Sequence, residues 1–386
     1  MAVSLPGARQ LGRFFSGWRG LARFWAGLLG FVVLTVGLLE LLGPVPVPPQ
    51  SLARRQAPGP ATERATEPAA EPATVAPGHA VLPAGPHPPA TTAANAPKSP
   101  PRTLRPGRDT PGPTGDPDPA LLEPVANDPK LLLPRISIDH RAPMNAYAAG
   151  FDTSSLRPRV GILVAGIGPI EADSLAAIKT LPGGVTLAIS PYISDISRLL
   201  VVARLNEHEY LLSLPMEPQG YPVNDPDDRF ALMTALPPAD NISRLHALLG
   251  RVTGYVGVTD ALGSMRGERL LGQPDQFEPV LEDLAARGLL FVDARTNQKR
   301  LPYAWNRSAD IILDDDPLNA ASLDQRLDTL THLALDKGSA LGVVSQPRPV
   351  TVERLAAWAT TLAPKGLALA PVSTLVLPPA KQDQEK

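Results

Sequence analysis

The stretch LLSLPMEPQGY, residues 211–221, decides how the rest of the chain reads. A short apolar run of strand length breaks on Pro215 and carries Glu217 onto a loop bracketed by Pro215 and Pro218. In parallel α/β folds the loops beyond the carboxyl ends of strands hold the chemistry, so a strand that ends in a stiff acidic loop marks a candidate site.

Outward from this stretch, from residue 159, apolar runs of strand length alternate with amphipathic segments of helix length, the pattern of βαβ units and a parallel sheet. Residues 160–164, 185–189, 209–214, 255–258, 289–292, 310–313, 340–344 and 367–370 read as strands. Helices are predicted over 170–180, from 194 to about 206, from 240 or 241 onward, and over 274–287, 323–337 and 351–362, with Gly288 and Gly338 as stop signals. Seven or eight such units in about 220 residues predict a closed or nearly closed barrel rather than an open sheet. Residues 143–151 read as a lead-in packed on this domain, which spans 143–378, with a polar tail at 379–386.

Composition sets the rest of the chain apart. Of 46 prolines, 24 lie between Pro44 and Pro134, in a stretch poor in aromatics. Residues 44–142 are therefore predicted to be a disordered, partly polyproline linker, because such a segment buries too little apolar surface to offset its ordering entropy. Before it, residues 24–43 form an almost uninterrupted apolar run preceded by Arg9, Arg13, Arg19 and Arg23. About 20 residues suffice to span a bilayer, and the arginines leave the N-terminus in the cytoplasm. The run exits into GPVPVPP with no small-residue cleavage site, which favours an uncleaved signal anchor. In a bacterium this implies a single-pass inner-membrane protein with its main domain in the periplasm. A net charge of −2 argues against a nucleic-acid partner, and the absence of cysteine excludes thiolate catalysis and disulfides.

The residues at the predicted strand ends are Ala165 and Gly166, Ser190, Ser213 to Glu217, Asp260 and Ala261, Asp293 and Arg295, Asp314, and Ser345 and Gln346. This set holds several acids and an arginine but no histidine. His208, His246 and His332 form no ligand-spaced pair and read as packing or surface residues. Glu217 with Asp293 is the pair to consider for two-carboxylate chemistry, while an ion pair of Asp293 with a neighbour is the plainer reading. The segment GIGP at 166–169 has Glu171 where a dinucleotide loop would have its third glycine, so a tight turn explains it better.

The order LVAGIG (163–168), VTLAISPY (185–192), HEYLLSLPMEP (208–218), YPVNDP (221–226), GYVGVTDALGS (254–264), RGLLFVDART (287–296) and PVTVERLAAWA (349–359) resembles the divergent polysaccharide deacetylase family, relatives of carbohydrate esterases with the NodB fold. The resemblance implies a distorted (β/α) barrel acting on or binding polysaccharide, possible peptidoglycan partners included. It also implies, in the better-equipped members, a divalent metal such as zinc that activates water. Here the positions that would hold the metal or act as base are Ala165, Gly166, Ser213, Ala261 and, after the late strand, Ser345 and Gln346. No cofactor is expected on that set. The retained candidates are Glu217, Asp293 and Arg295 for catalysis, and Asp260, Asp314 and Tyr192 for substrate binding. The resemblance leaves an active esterase or glycosidase using the leftover acids, and a non-catalytic scaffold, as alternatives.

Overall fold

The computed structural model describes Trp25, Leu29 and residues 114–125, 128–193 and 195–381. Two units divide the chain at residues 93 and 94; Trp25 and Leu29 of the first are helical and exposed, and the remaining description concerns the second. The span expected at 24–43 lies, those two residues apart, outside the described residues. Among the described residues no helix is long and apolar enough to cross a membrane.

The folded region begins earlier than composition indicates. Residues from 114 onward, assigned above to the linker, include an antiparallel hairpin of β1 (Leu122–Val125) and β2 (Asp128–Pro134). Proline content misleads here because the prolines of this segment sit at a 3₁₀ turn and on a two-stranded ribbon, where a missing N–H is tolerated. Leu131 packs so closely over Gly250 that a Cβ there would lie 2.2 Å from Leu131 Cδ1. A short helix follows, α1 (Pro143–Ala146).

The alternating units then run as β3 (Arg159–Ile167), α2 (Glu171–Thr180), β4 (Thr186–Ile189), α3 (Ser197–Leu205), β5 (Tyr210–Ser213) and α4 (Pro238–Leu249). They continue as β6 (Gly257–Thr259), a single turn α5 (Glu268–Leu271), α6 (Pro274–Ala286), β7 (Leu290–Thr296), β8 (Asn306–Ala309) and β9 (Ile311–Ile312). The last are α7 (Ala320–Lys337), β10 (Ser339–Val344), α8 (Pro349–Ala359) and β11 (Ala368–Leu369). Every strand predicted over 160–370 has an observed counterpart. The unpredicted ones are β8, whose NRSA sequence has no apolar run, and the hairpin.

The parallel sheet has the order β8-β7-β6-β5-β4-β3-β10-β9, with β11 against the start of β3. Its two edge strands are adjacent in the chain: β8 pairs with β7, β9 pairs with β10, and Asp310 alone lies between them. A single bent strand thus joins the two edges and closes the barrel. At the bend Asp310 N donates to Leu341 O (2.8 Å), while Asp310 Oδ2 accepts from Leu341 N (2.9 Å) and from Arg307 (2.8 Å). The carboxylate supplies the acceptor that a straight strand would have supplied from its backbone.

Because the sheet is buried on both faces, its strands read as nearly continuous apolar runs. Val160, Ile162 and Val164 of β3 join the core beneath the helices, whereas Leu163 and Ala165 belong with Ala188, Leu211, Val292 and Leu341 to the barrel interior. That interior core continues into Leu121, Met144, Tyr147, Val372 and Leu375, so the lead-in and the tail plug the amino-terminal end of the barrel. Glu209 fixes the plug. Its fully buried carboxylate accepts from Ala149 N, Thr186 Oγ1, Ser373 N and Ser373 Oγ at 2.6–3.1 Å. With the lead-in and residues 372–375 packed at the amino-terminal end, the carboxyl ends of the strands are the place to look for a ligand site.

Candidate functional site

Each predicted acid lies at that open end, and each is occupied by the protein itself. Glu217 is 2% exposed. Its Oε2 accepts from Thr234 N and Thr234 Oγ1, both at 2.7 Å, and its Oε1 pairs with Arg269 at 2.8 Å. Its backbone carbonyl also accepts from Arg269 N and Leu270 N. Glu217 therefore ties the loop after β5 both to α5 and to the loop at Thr234.

Asp293 forms a two-pronged pair with Arg295, 3.0 Å from Nε to Oδ1 and 2.7 Å from Nη2 to Oδ2, and Oδ1 also accepts from Arg295 N at 2.9 Å. The ion-pair reading of this motif holds, with the partner two residues along the same strand. Burial works against the Arg295 charge, but Asp293 outweighs it and raises the guanidinium pKa above its usual value. Asp260 is fully buried with Oδ1 on Ala294 N (2.7 Å) and Oδ2 on Gly267 N (3.1 Å). Burial first, and the nearby Asp293 charge second, push its carboxyl up to about 7 despite those two bonds. Asp314 accepts from Ser345 N (2.8 Å) and Gln346 N (3.1 Å), joining the end of β9 to the end of β10.

The acids fall into two groups. Glu217, Asp260, Asp293 and Arg295 are connected through α5, Gly267 and Ala294, whereas Asp314 stands with Ser345 and Gln346. Tyr192 belongs to neither: it is 40% exposed, its hydroxyl donates to Pro226 O, and burial raises its pKa.

The positions of the family's metal set do not fit a divalent ion. Ala165 and Ala261 have no donor, and Gly166 adopts φ +73° with its missing Cβ only 3.1 Å from Ser345 O. A carboxylate there would be strained as well as crowded. Ser213 shares the interior face with Leu211, and its hydroxyl is buried without a hydrogen-bond partner. Gln346 is exposed. Among the described residues no group of three or more His, Asp or Glu could hold a metal ion. The histidines are placed otherwise: His208 is buried between Val185 O and Ile178 O, and His246 contacts Asp283 and Arg287.

A cavity of about 780 Å³ opens over the ends of β7 and β9. Its walls include Arg295 and Thr296, but neither Glu217, Asp260, Asp293 nor Asp314. Sequence reasoning missed Arg266, Glu268 and Arg326, which line it. Their signal was position: Arg266 and Glu268 follow the end of β6 within ten residues, and Arg326 lies in the second turn of α7, the helix that follows the Asp314–Asp316 run. A search confined to the residues directly at the strand ends passes over them.

The matched family model, divergent polysaccharide deacetylase, covers residues 162–376. The chain is 24% identical over 209 residues to the uncharacterized protein YibQ of Escherichia coli (strain K12), a match taking in 52% of this chain and 62% of that protein's length. The crystal structure of the uncharacterized protein ATU2773 from Agrobacterium tumefaciens C58 is similar at a TM-score of 0.58 and 31% identity, covering 63% of this chain and 99% of that one. A family 4 carbohydrate esterase from Streptomyces lividans in complex with acetate is similar at a TM-score of 0.36 and 16% identity over 58% of this chain and 98% of that one, too distant for any residue to be carried across. With a family match over more than half its length and a parallel α/β barrel to go with it, the chain belongs to the divergent polysaccharide deacetylase family.

Proposed function

We propose that this protein binds cell-envelope polysaccharide at the open end of its barrel and does not hydrolyse it by metal-activated water. One observation carries the reading. The acids retained near the family's site are all engaged by the protein, Glu217 by Thr234 and Arg269, Asp293 by Arg295, and Asp260 and Asp314 by backbone N–H groups. None faces the cavity as a base in need of a proton. To flank a sugar, Glu217 and Asp293 would both have to line the groove, and neither does, which argues against that pair as a glycosidase's carboxylates.

The apolar run at residues 24–43 and its arginine-rich flank support an anchor in the inner membrane, with the barrel in the periplasm, where peptidoglycan is the available glycan. The test is a paired assay on the full-length chain. Retention on purified peptidoglycan is expected, together with no acetate release from N-acetylglucosamine oligomers with or without zinc. Zinc-dependent release would overturn the reading, and so would failure to be retained above a barrel of unrelated sequence.

A further inference from the structure

Three arginines and four acids, Glu268, Asp310, Asp315 and Asp316, line the cavity, and of the arginines Arg266 and Arg326 make no close hydrogen bond to a carboxylate. Arg266, with a side chain 16% exposed, has its Nη2 buried and without a hydrogen-bond partner. Asp315 Oδ1 is the nearest carboxylate oxygen paired with it, at 3.7 Å, beyond hydrogen-bond range. Arg326 donates to the carbonyls of Leu313, Asp315 and Asp316 at 2.7–3.4 Å, which anchors the loop after β9 but leaves the guanidinium charge without a carboxylate in those bonds. Arg295 spends its Nε–Nη2 edge on Asp293. Of the acids in the same wall, Asp310 is already held by Arg307 and Lys337, and Glu268 accepts from Gln219 N. Asp315, with its side chain 58% exposed, and the exposed Asp316 are the loosely engaged ones, and of the two it is Asp315 that faces Arg266.

We infer that this cavity binds the carboxylate of an acidic sugar, with Arg266 and Arg326 as its cationic wall and Asp315 as the internal group that the sugar carboxylate displaces. The inference rests on the glycan-binding reading above and names the class of glycan. A planar carboxylate matches the guanidinium fork, and an unsatisfied buried Nη2 is a standing donor for it. A doubly charged phosphate fits less well, since Asp315 and Asp316 stand in the same wall. Thr296 and Gln298, neutral donors and acceptors beside the arginines, suit sugar hydroxyls.

The experiment is calorimetric titration of the full-length chain with four sugars: digalacturonate, with a ring carboxylate; N-acetylglucosaminyl-N-acetylmuramic acid, with a lactyl carboxylate; the methylamide of the latter; and neutral chitobiose. At least one acid is expected to bind about tenfold or more tighter than the amide and chitobiose, and which acid does so distinguishes the two sources. Arg266→Gln should bring the acid down to the affinity of the amide without moving chitobiose. Asp315→Asn, an exposed change that leaves the fold intact, should tighten the acid by about threefold or more. Equal binding of acid and amide overturns the inference while leaving glycan binding standing. Failure of every sugar to bind overturns both. An acid preference that survives Arg266→Gln unchanged, or that Asp315→Asn leaves unmoved, places the carboxylate elsewhere and overturns the assignment, as does competition by inorganic phosphate at lower concentration than the sugars.

Discussion

Glu217 carries the strongest sequence signal in the chain and performs structural work. Its two bonds from half-buried Thr234 are charge-assisted, so Glu217→Ala is expected to cost about 1–3 kcal/mol by leaving Thr234 N without an acceptor. Glu217→Gln keeps an oxygen for Thr234 and loses mainly the pair with half-exposed Arg269, so it should cost about 1 kcal/mol or less. Urea unfolding of the two variants checks the order, and an unchanged midpoint for Glu217→Ala would mean that the residue is held for chemistry instead. Asp260 makes a pH prediction. Its carboxyl titrates near 3.8 in an unfolded chain and near 7 in the fold, so between those values the native state holds more protons and stability falls as pH rises. The melting temperature of the wild type should drop from about pH 5 to pH 7.5. Asp260→Asn should flatten that slope while lowering stability overall, because the amide offers one accepting oxygen and its nitrogen only donates, so either Ala294 N or Gly267 N loses its acceptor. None of these bonds was legible in the chain. The acid was visible at each position, but its partners lay 7 to 52 residues away along the chain.

At the scale of elements, the closing strand is the part most dependent on one side chain. Residues 306–312 change partners from β7 to β10 at Asp310, and the Asp310 carboxylate bridges Leu341 N, Arg307 and Lys337 across the change. Asp310→Ala should therefore destabilise the protein by about 2–4 kcal/mol, since it removes an acceptor from a buried amide and uncouples two cations. Amide hydrogen exchange offers a local readout: protection at Leu341 should fall more than at Val164, which lies deep in β3. Equal protection at both would mean that the seam is held by β9 alone. Periodicity read most of the other strands because an element buried on both faces has to be apolar along its length. It missed β8 for the same reason in reverse. Asn306 is spent on Leu301 and Ala304, Arg307 on Asp310, and Ser308 on Gln298, so polar side chains here satisfy their surroundings by hydrogen bonds.

At the scale of the whole molecule, the barrel is stoppered by segments from both ends of the folded region. Removing residues 1–113 should leave the melting temperature of the remaining chain within a few degrees of the full-length value. Removing residues 1–142 instead uncovers the surfaces under Leu121 and Leu131 and deletes the Arg287–Glu123 pair, and should lower it by about 5 °C or more. Equal melting temperatures for the two truncations would return the boundary to residue 143. The sequence by itself determined the parallel α/β barrel and the family, through apolar runs and loop motifs whose meaning is local. It also puts Ala165, Gly166, Ser213 and Ala261 at the positions where the family resemblance implies metal ligands or a base. Only the tertiary structure decided where the retained acids spend their charge, where the barrel closes and which arginines face the cavity. Those outcomes depend on pairs of groups brought together from distant parts of the chain, and a carboxylate's role is set by whether its neighbours leave it free.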